Sequence, residues 1–154
     1  MKPATKMNIA QAMGRYPHKR AALLPALWAV QQDEGWVPRE SLGDIAAIMG
    51  ITASEVREVA SFYTMFARTP MGKHHVRVCI GICCRLRGSD TILAHLKEKL
   101  GISAGETTDD ETVHLSTVEC LGSCGTAPMM QVDDDYYENL TIEQIDEIVE
   151  RLKT

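Results

Sequence analysis

The stretch HVRVCIGICCRLRGSDTILAHLKEKLG, residues 75–101, changes its hydrophobic period partway along. Residues 75–80 alternate polar and apolar side chains, which predicts a strand. Over residues 89–100 the apolar side chains instead recur at helical spacing, and Gly101 supplies a stop signal. A turn rich in cysteine and glycine joins the two elements. A strand that leads through such a turn into a helix predicts an α/β unit.

The rest of the second half continues this pattern. Further strands are predicted around residues 113–117 and 129–132, and the three aspartates at 133–135 predict a hairpin turn. Thr141 is a capping residue for a last helix, in which apolar side chains again recur at helical spacing. Strand, helix, strand, hairpin and helix within roughly eighty residues predict a compact α/β sandwich.

The first seventy residues carry helical signals instead. Apolar side chains between residues 21 and 30 form one stripe, which ends near Gly35. Residues 41–49 carry a second stripe of this kind. Thr52 and Glu55 then form a capping-box pattern that opens a third helix.

The segment Thr69-Pro70-Met71-Gly72 separates the two patterns and predicts a domain boundary. We expect an N-terminal helical domain at residues 1–72 and an α/β domain at residues 73–154. Residues 1–72 hold eight Lys or Arg against six Asp or Glu, whereas residues 73–154 hold eight against fifteen. An acidic half, together with an aromatic content of 5%, argues against nucleic-acid binding.

Composition excludes several classes of protein. The chain has 154 residues, of which 45% are apolar and 24% charged, as is normal for a soluble globular protein. Its longest apolar run is far shorter than the ~20 residues that cross a bilayer. Residues 1–16 lack the apolar core of a signal peptide, so we expect neither secretion nor direct membrane insertion. Five cysteines in such a chain argue against a disulfide scaffold.

Four of the five cysteines form two close pairs. Cys79 and Cys84 are separated by four residues, and Cys120 and Cys124 by three. Each pair follows a predicted strand and lies in a loop that contains glycine, so two neighbouring strand ends could bring four thiolates together. Cys83 adjoins Cys84, which leaves the first pair readable as C-x3-C or C-x4-C. If this segment is extended, adjacent side chains point to opposite sides and only one of the two faces the other thiols.

Three kinds of chemistry use converging thiols. A [2Fe–2S] cluster needs two thiolates on each of two irons, which suits two short-range pairs and is the interpretation that we favour. Structural zinc also takes four thiolates. A dithiol redox pair usually has C-x-x-C spacing, which is absent here. The chain has no P-loop and no dinucleotide-binding glycine motif, so we expect no nucleotide or flavin site in it.

Two cysteine motifs and two upstream segments carry further information. The cysteine motifs read CIGICCRLRGS at residues 79–89 and ECLGSCGTAP at residues 119–128. The upstream segments are QQDEGWVP at residues 31–38 and VASFY at residues 59–63. Together they resemble one family, the thioredoxin-like [2Fe–2S] subunits of NADH dehydrogenases, which is the 24-kDa, or E, subunit of respiratory complex I. The resemblance therefore covers almost the whole chain.

The resemblance implies a fold of class α+β, with an N-terminal helical bundle followed by a thioredoxin-like [2Fe–2S] ferredoxin domain. It also implies that the cluster ligands are Cys79, Cys84, Cys120 and Cys124, which selects the C-x4-C reading of the first pair. Cys83 is a departure from the minimal pattern. No separate catalytic residue is expected.

The implied function is electron transfer within NADH:quinone oxidoreductase. The chain would hold a low-potential [2Fe–2S] cluster and exchange single electrons with a flavin. FMN and NADH would bind to a partner, the 51-kDa or F-type subunit, in the peripheral arm on the cytoplasmic side of a membrane. One alternative is the equivalent subunit of a soluble NAD-linked formate dehydrogenase, hydrogenase or bifurcating complex. Another is a zinc-stabilised interaction module.

Overall fold

A computed structural model describes residues 1–153, which divide into two compact units. The first unit is Met1–Pro70, and the second begins at Met71. The division lies within the segment that interrupts the sequence pattern. That residues 1–72 and 73–154 are separate domains stays a prediction.

The N-terminal unit is helical, as the sequence predicts. Its helices are α1 (Pro3–Met13), α2 (Leu23–Glu34), α3 (Arg39–Met49) and α4 (Ala53–Phe62). The predicted capping box opens α4: the Glu55 backbone N–H donates to Thr52 Oγ1 at 3.2 Å, and the Thr52 N–H donates to the Glu55 carboxylate at 2.9 Å. The buried apolar side chains form one core, which includes Ile9, Leu27, Val30, Ile45, Met49 and Val56.

The second unit is built on a five-stranded mixed sheet. Its strands are β1 (His74–Cys79), β2 (Glu106–Thr107), β3 (Val113–Val118), β4 (Met130–Val132) and β5 (Asp135–Tyr137). The strand order is β2-β3-β1-β4-β5, in which β1 and β3 are parallel and the other neighbours are antiparallel. The sequence did not predict β2, because two residues are too few to show an alternation.

Three helices accompany the sheet: α5 (Ile82–Leu86), α6 (Ser89–Leu100) and α7 (Ile142–Leu152). Apolar side chains of α6, α7 and one sheet face form the core of this unit, which includes Val76, Val78, Ile92, Leu96, Leu115, Met130, Ile145 and Val149. Thr141 opens α7 with a second capping box, whose partner is Gln144. The predicted α+β fold class is thus confirmed. Every helix within residues 1–153 is too short or too polar to span a lipid bilayer.

Gly72 stands at the entrance to the second unit in a conformation that a side chain would disturb. Its φ is +68°, and an added Cβ would lie 2.7 Å from the Glu111 carbonyl oxygen. Gly101 has nearly the same φ, +69°, but open space where its Cβ would be. A comparison of Gly72 with Gly101 therefore separates the cost of left-handed backbone strain from the cost of a steric clash.

We predict that Gly72→Ala destabilises the protein more than Gly101→Ala does. The left-handed conformation costs an alanine about 1–2 kcal/mol at either position, and only Gly72→Ala adds the clash. Chemical denaturation of both variants and the wild type measures the two free energies of unfolding. Equal losses in the two variants would contradict the prediction.

His75 lies on the sheet face opposite the apolar core, because side chains alternate along β1. Its Nε2 atom is 2.7 Å from Ser116 Oγ, and its ring meets the His114 ring edge to face, with centroids 5.1 Å apart. Burial, and then the charge of Arg77, lowers the pKa of His75 to about 3. His75 is therefore neutral in the folded protein at physiological pH.

We predict that stability falls as the pH drops from about 6.5 towards 3. The unfolded chain, with an ordinary histidine pKa near ~6.5, takes up a proton in this range that the folded chain does not. Most carboxyl groups titrate lower, so unfolding midpoints at about pH 7 and about pH 5 isolate the histidine effect. His75→Gln should narrow the difference between those midpoints, because it removes the buried ring whose pKa is lowered. A pH dependence in His75→Gln equal to that of the wild type would disprove this explanation.

Candidate metal centre

Both cysteine pairs lie where neighbouring strands end. β1 ends at Cys79, and its parallel neighbour β3 ends at Val118, which is opposite Cys79 in the register. The loop after β1 and the loop after β3, which carries Cys120 and Cys124, therefore start side by side. The Ile80 backbone N–H donates to the Val118 carbonyl at 2.9 Å, so the pairing continues past the last strand residue.

A helix, rather than an extended turn, carries the second thiol of the first pair. α5 begins at Ile82, and Cys83 and Cys84 lie in its first turn. The expectation that only one of these two cysteines faces the other thiols is wrong, because successive side chains on a helix are about 100° apart instead of opposed. Cys84 is buried and Cys83 is half-buried.

The thiols contact one another. The Cys84 thiol lies next to that of Cys79, and the Cys124 thiol lies next to those of Cys83 and Cys120. Burial, followed by the neighbouring Cys79 thiol, raises the pKa of Cys84 to about 11. The neighbouring Cys83 thiol is the largest cause of the raised pKa of Cys124. A bound cation would oppose these shifts, because it stabilises thiolates.

Gly81 allows the two cysteine loops to approach closely. An added Cβ at Gly81 would lie 2.8 Å from the Glu119 carbonyl oxygen, 3.6 Å from Cys79 Sγ and 3.9 Å from Cys120 Cβ. The backbone at Gly81 thus lies against the backbone at Glu119, close to Cys79 of the first pair and Cys120 of the second. A side chain at this position would push the pairs apart.

The loop after β3 is held by polar contacts. The Gly122 backbone N–H donates to Cys120 Sγ at 3.3 Å, and the Tyr136 hydroxyl donates to the Leu121 carbonyl at 3.2 Å. The Glu138 carboxylate accepts hydrogen bonds from hydroxyls on both sides of Cys124. The sequence did not single out Tyr136 or Glu138, because polar residues after a hairpin are typical of a solvated turn.

The donor set fits a [2Fe–2S] cluster. Within residues 1–153 no group of three or more His, Cys, Asp or Glu side chains is arranged to hold a metal ion. The Cys84 thiol neighbours Cys79, the Cys124 thiol neighbours both Cys83 and Cys120, and a [2Fe–2S] cluster takes two thiolates on each iron. Cys79 and Cys84 are 2% exposed, so this half of the site is shielded from water. All five cysteines are free of disulfides.

The fold and the site together define a mixed α/β protein with a thiol-rich sheet edge. The family model of the thioredoxin-like [2Fe–2S] ferredoxins matches residues 9–153. An NADH-quinone oxidoreductase E subunit of Rhizobium meliloti is 44% identical over 146 residues, which cover 95% of this chain and 87% of that protein. The NADH-quinone oxidoreductase subunit 2 of Thermus thermophilus is 44% identical over 131 residues, or 84% and 72% of the two chains.

A solved structure has the same fold. An NAD⁺-reducing [NiFe]-hydrogenase in the H₂-reduced state matches with a TM-score of 0.74 at 21% identity. The match covers 82% of this chain, which spans 22% of the hydrogenase chain. The chain belongs to the thioredoxin-like [2Fe–2S] ferredoxin family and, within it, to the E subunits of NADH-quinone oxidoreductases. The resemblance found in the sequence is confirmed.

Proposed function

We propose that this chain is the electron-transfer subunit of an NADH:quinone oxidoreductase, in which it holds a low-potential [2Fe–2S] cluster. One observation carries the proposal: two cysteine pairs meet at neighbouring ends of β1 and β3. Membership of the family supports it. When bound, a [2Fe–2S] cluster supplies one-electron redox chemistry.

We assign the ligands as Cys79, Cys84, Cys120 and Cys124. The contact between Cys84 and Cys79 supports the first pair, and the contact between Cys124 and Cys120 supports the second. Burial distinguishes Cys84 from its neighbour Cys83, which is half-buried. The assignment thus keeps the C-x4-C reading.

The surroundings of the thiols favour a low potential. Residues 73–154 carry eight Lys or Arg against fifteen Asp or Glu. An electron added to negative surroundings is disfavoured, so we expect a potential near about −400 mV or below, as in plant-type ferredoxins. The Gly122 N–H that donates to Cys120 Sγ instead raises the reduction potential, because it stabilises negative charge on sulfur.

The electron donor is an NADH-oxidising partner, the F-type or 51-kDa subunit, which carries FMN and NADH. Exposed apolar side chains beside the cysteines support a docking surface for it. Ile82 and Leu86, on the same short helix as Cys84, are 71% and 79% exposed, and apolar side chains exposed side by side are typical of contact surfaces. The proposed location is the peripheral arm of the complex, on the cytoplasmic side of the membrane.

Anaerobic purification of the full chain with its metal tests the cofactor. We expect a brown protein with visible absorption, about two irons and two sulfides per chain, and an EPR signal after reduction. A colourless protein with one zinc per chain would overturn the proposal in favour of a zinc-stabilised interaction module.

We predict that Leu86→Glu weakens association with the partner and leaves the cluster in place. A charge on an apolar contact surface is costly to bury. The measurement is the amount of flavoprotein that co-purifies with a tagged chain, and Met7→Glu, at a side chain that is 74% exposed in the helical unit, is the control. Unchanged co-purification of Leu86→Glu would show that α5 does not face the flavoprotein. A molybdenum or nickel–iron subunit in the wild-type sample would instead indicate a soluble NAD-linked complex.

A further inference from the structure

We infer that Glu138 is a positioning residue for the metal centre: its carboxylate clamps the loop around Cys124 through Ser123 and Thr126. The inference rests on the proposed function, because it concerns how that loop presents a ligand. Glu138 itself does not belong to the ligand set.

The clamp consists of hydrogen bonds on both sides of Cys124. Glu138 Oε1 accepts from Ser123 Oγ, and it accepts from Thr126 Oγ1 at 2.5 Å. The two hydroxyl oxygens are 2.8 Å apart. Residues 124–126 form a short 3₁₀ helix, so one carboxylate oxygen fixes both ends of the turn that carries the thiol.

The carboxylate extends a set of backbone contacts. The Asn139 N–H donates to the Thr126 carbonyl at 2.7 Å, and the Leu140 N–H donates to the Pro128 carbonyl at 3.0 Å. These bonds hold the chain after Cys124, whereas the Glu138 side chain reaches Ser123, which precedes it. The Tyr136 hydroxyl adds a bond to the Leu121 carbonyl.

The negative charge of Glu138 is retained in this position. Both hydroxyls stabilise the ionised carboxylate, and together they lower the pKa of Glu138. Hydrogen bonds to a charged acceptor are stronger than neutral ones. Because the charge lies beside the Cys124 loop, it disfavours an electron added there.

Two variants separate the hydrogen bonds from the charge. Glu138→Ala removes both, whereas Glu138→Gln keeps an oxygen acceptor and removes only the charge. Glu147→Ala and Glu147→Gln are matched controls, since Glu147 is an exposed glutamate on α7. Ser123→Ala removes one arm of the clamp and leaves the glutamate unchanged.

The test uses the full chain with its [2Fe–2S] cluster. We expect Glu138→Ala to lose the cluster to an iron chelator about tenfold faster than the wild type, with Ser123→Ala and Glu138→Gln in between. We also expect the reduction potential of Glu138→Gln to rise, while both Glu147 variants keep the wild-type potential and rate. Circular dichroism establishes whether each variant is folded. If Glu138→Ala is unfolded, Glu138→Gln and Ser123→Ala decide whether the clamp holds the loop.

Wild-type rates and potentials in every folded Glu138 variant and in Ser123→Ala would overturn the clamp. An equal change in the Glu147 variants would also overturn it, because the effect would then be one of overall charge. A wild-type chain without a [2Fe–2S] cluster would overturn the proposed function instead. The two failures are distinguishable, because failure of the clamp leaves the wild-type cluster in place.

Discussion

Cys84→Ser is expected to abolish or severely weaken cluster binding, and Cys83→Ser to leave the cluster in place. Cys84 is 2% exposed and its thiol lies next to that of Cys79, so its sulfur lies in the shielded half of the site. Serine keeps the volume nearly unchanged but supplies a hydroxyl, which is a far poorer ligand for iron in a thiolate cluster. Iron content, visible absorption and the EPR signal of the reduced chain measure the loss.

Cys83→Ser is the matched control, because it makes the same chemical change one residue away. Cys83 contacts the Cys124 thiol, so under the proposed assignment its replacement perturbs the surroundings of a ligand but removes none. If Cys83→Ser loses the cluster while Cys84→Ser retains it, the ligand moves by one position and the first pair becomes C-x3-C. Equivalent serine variants at Cys79, Cys120 and Cys124 should each behave as Cys84→Ser does.

Gly81→Ala should weaken cluster retention without removing any ligand. Gly81 has φ −58° and ψ 157°, a conformation that alanine adopts readily, so backbone strain does not contribute. The added methyl carbon would instead meet the Glu119 carbonyl oxygen at 2.8 Å. The loop that carries Cys120 must then move away from the loop that follows Cys79. We expect a chelator to remove the cluster at least about tenfold faster than from the wild type, because the four sulfurs are no longer held in place.

Gly125→Ala provides the comparison within the same site. Gly125 follows Cys124 directly, and an added Cβ there would meet nothing within 4 Å. This variant should bind and retain the cluster like the wild type. Equal chelator sensitivity in the Gly81 and Gly125 variants would show that close approach of the two loops is not what holds the thiols together.

Local sequence patterns predicted most of the secondary structure. The capping box at Thr52 and the helix cap at Thr141 lie where the sequence places them, because each involves residues only three positions apart. The helix α6, which Gly101 terminates, also lies where the sequence predicts it. The pattern did not predict α5, because five residues that include two cysteines show no helical period.

The candidate site was predictable in its residue types and not in its detailed contacts. The spacing of Cys79 and Cys84, and of Cys120 and Cys124, is enough to indicate two pairs. Spacing did not predict that Cys83 also approaches another thiol, because that depends on a helical turn. Spacing also did not predict the hydrogen bonds from Thr126 and Ser123 to Glu138, because these residues lie 12 and 15 positions before it.

The sequence by itself determined the helical and α/β halves and the two cysteine pairs, because hydrophobic period and cysteine spacing are local properties of the chain, and the resemblance of its motifs indicated the class of protein. Only the tertiary structure decided how the two pairs meet. β1 and β3 lie side by side in parallel although the pairs are far apart in the sequence, and this pairing brings both cysteine loops to one sheet edge. The close approach at Gly81 and the hydrogen bonds around Cys124 follow from that pairing, since they join segments that no short sequence pattern connects.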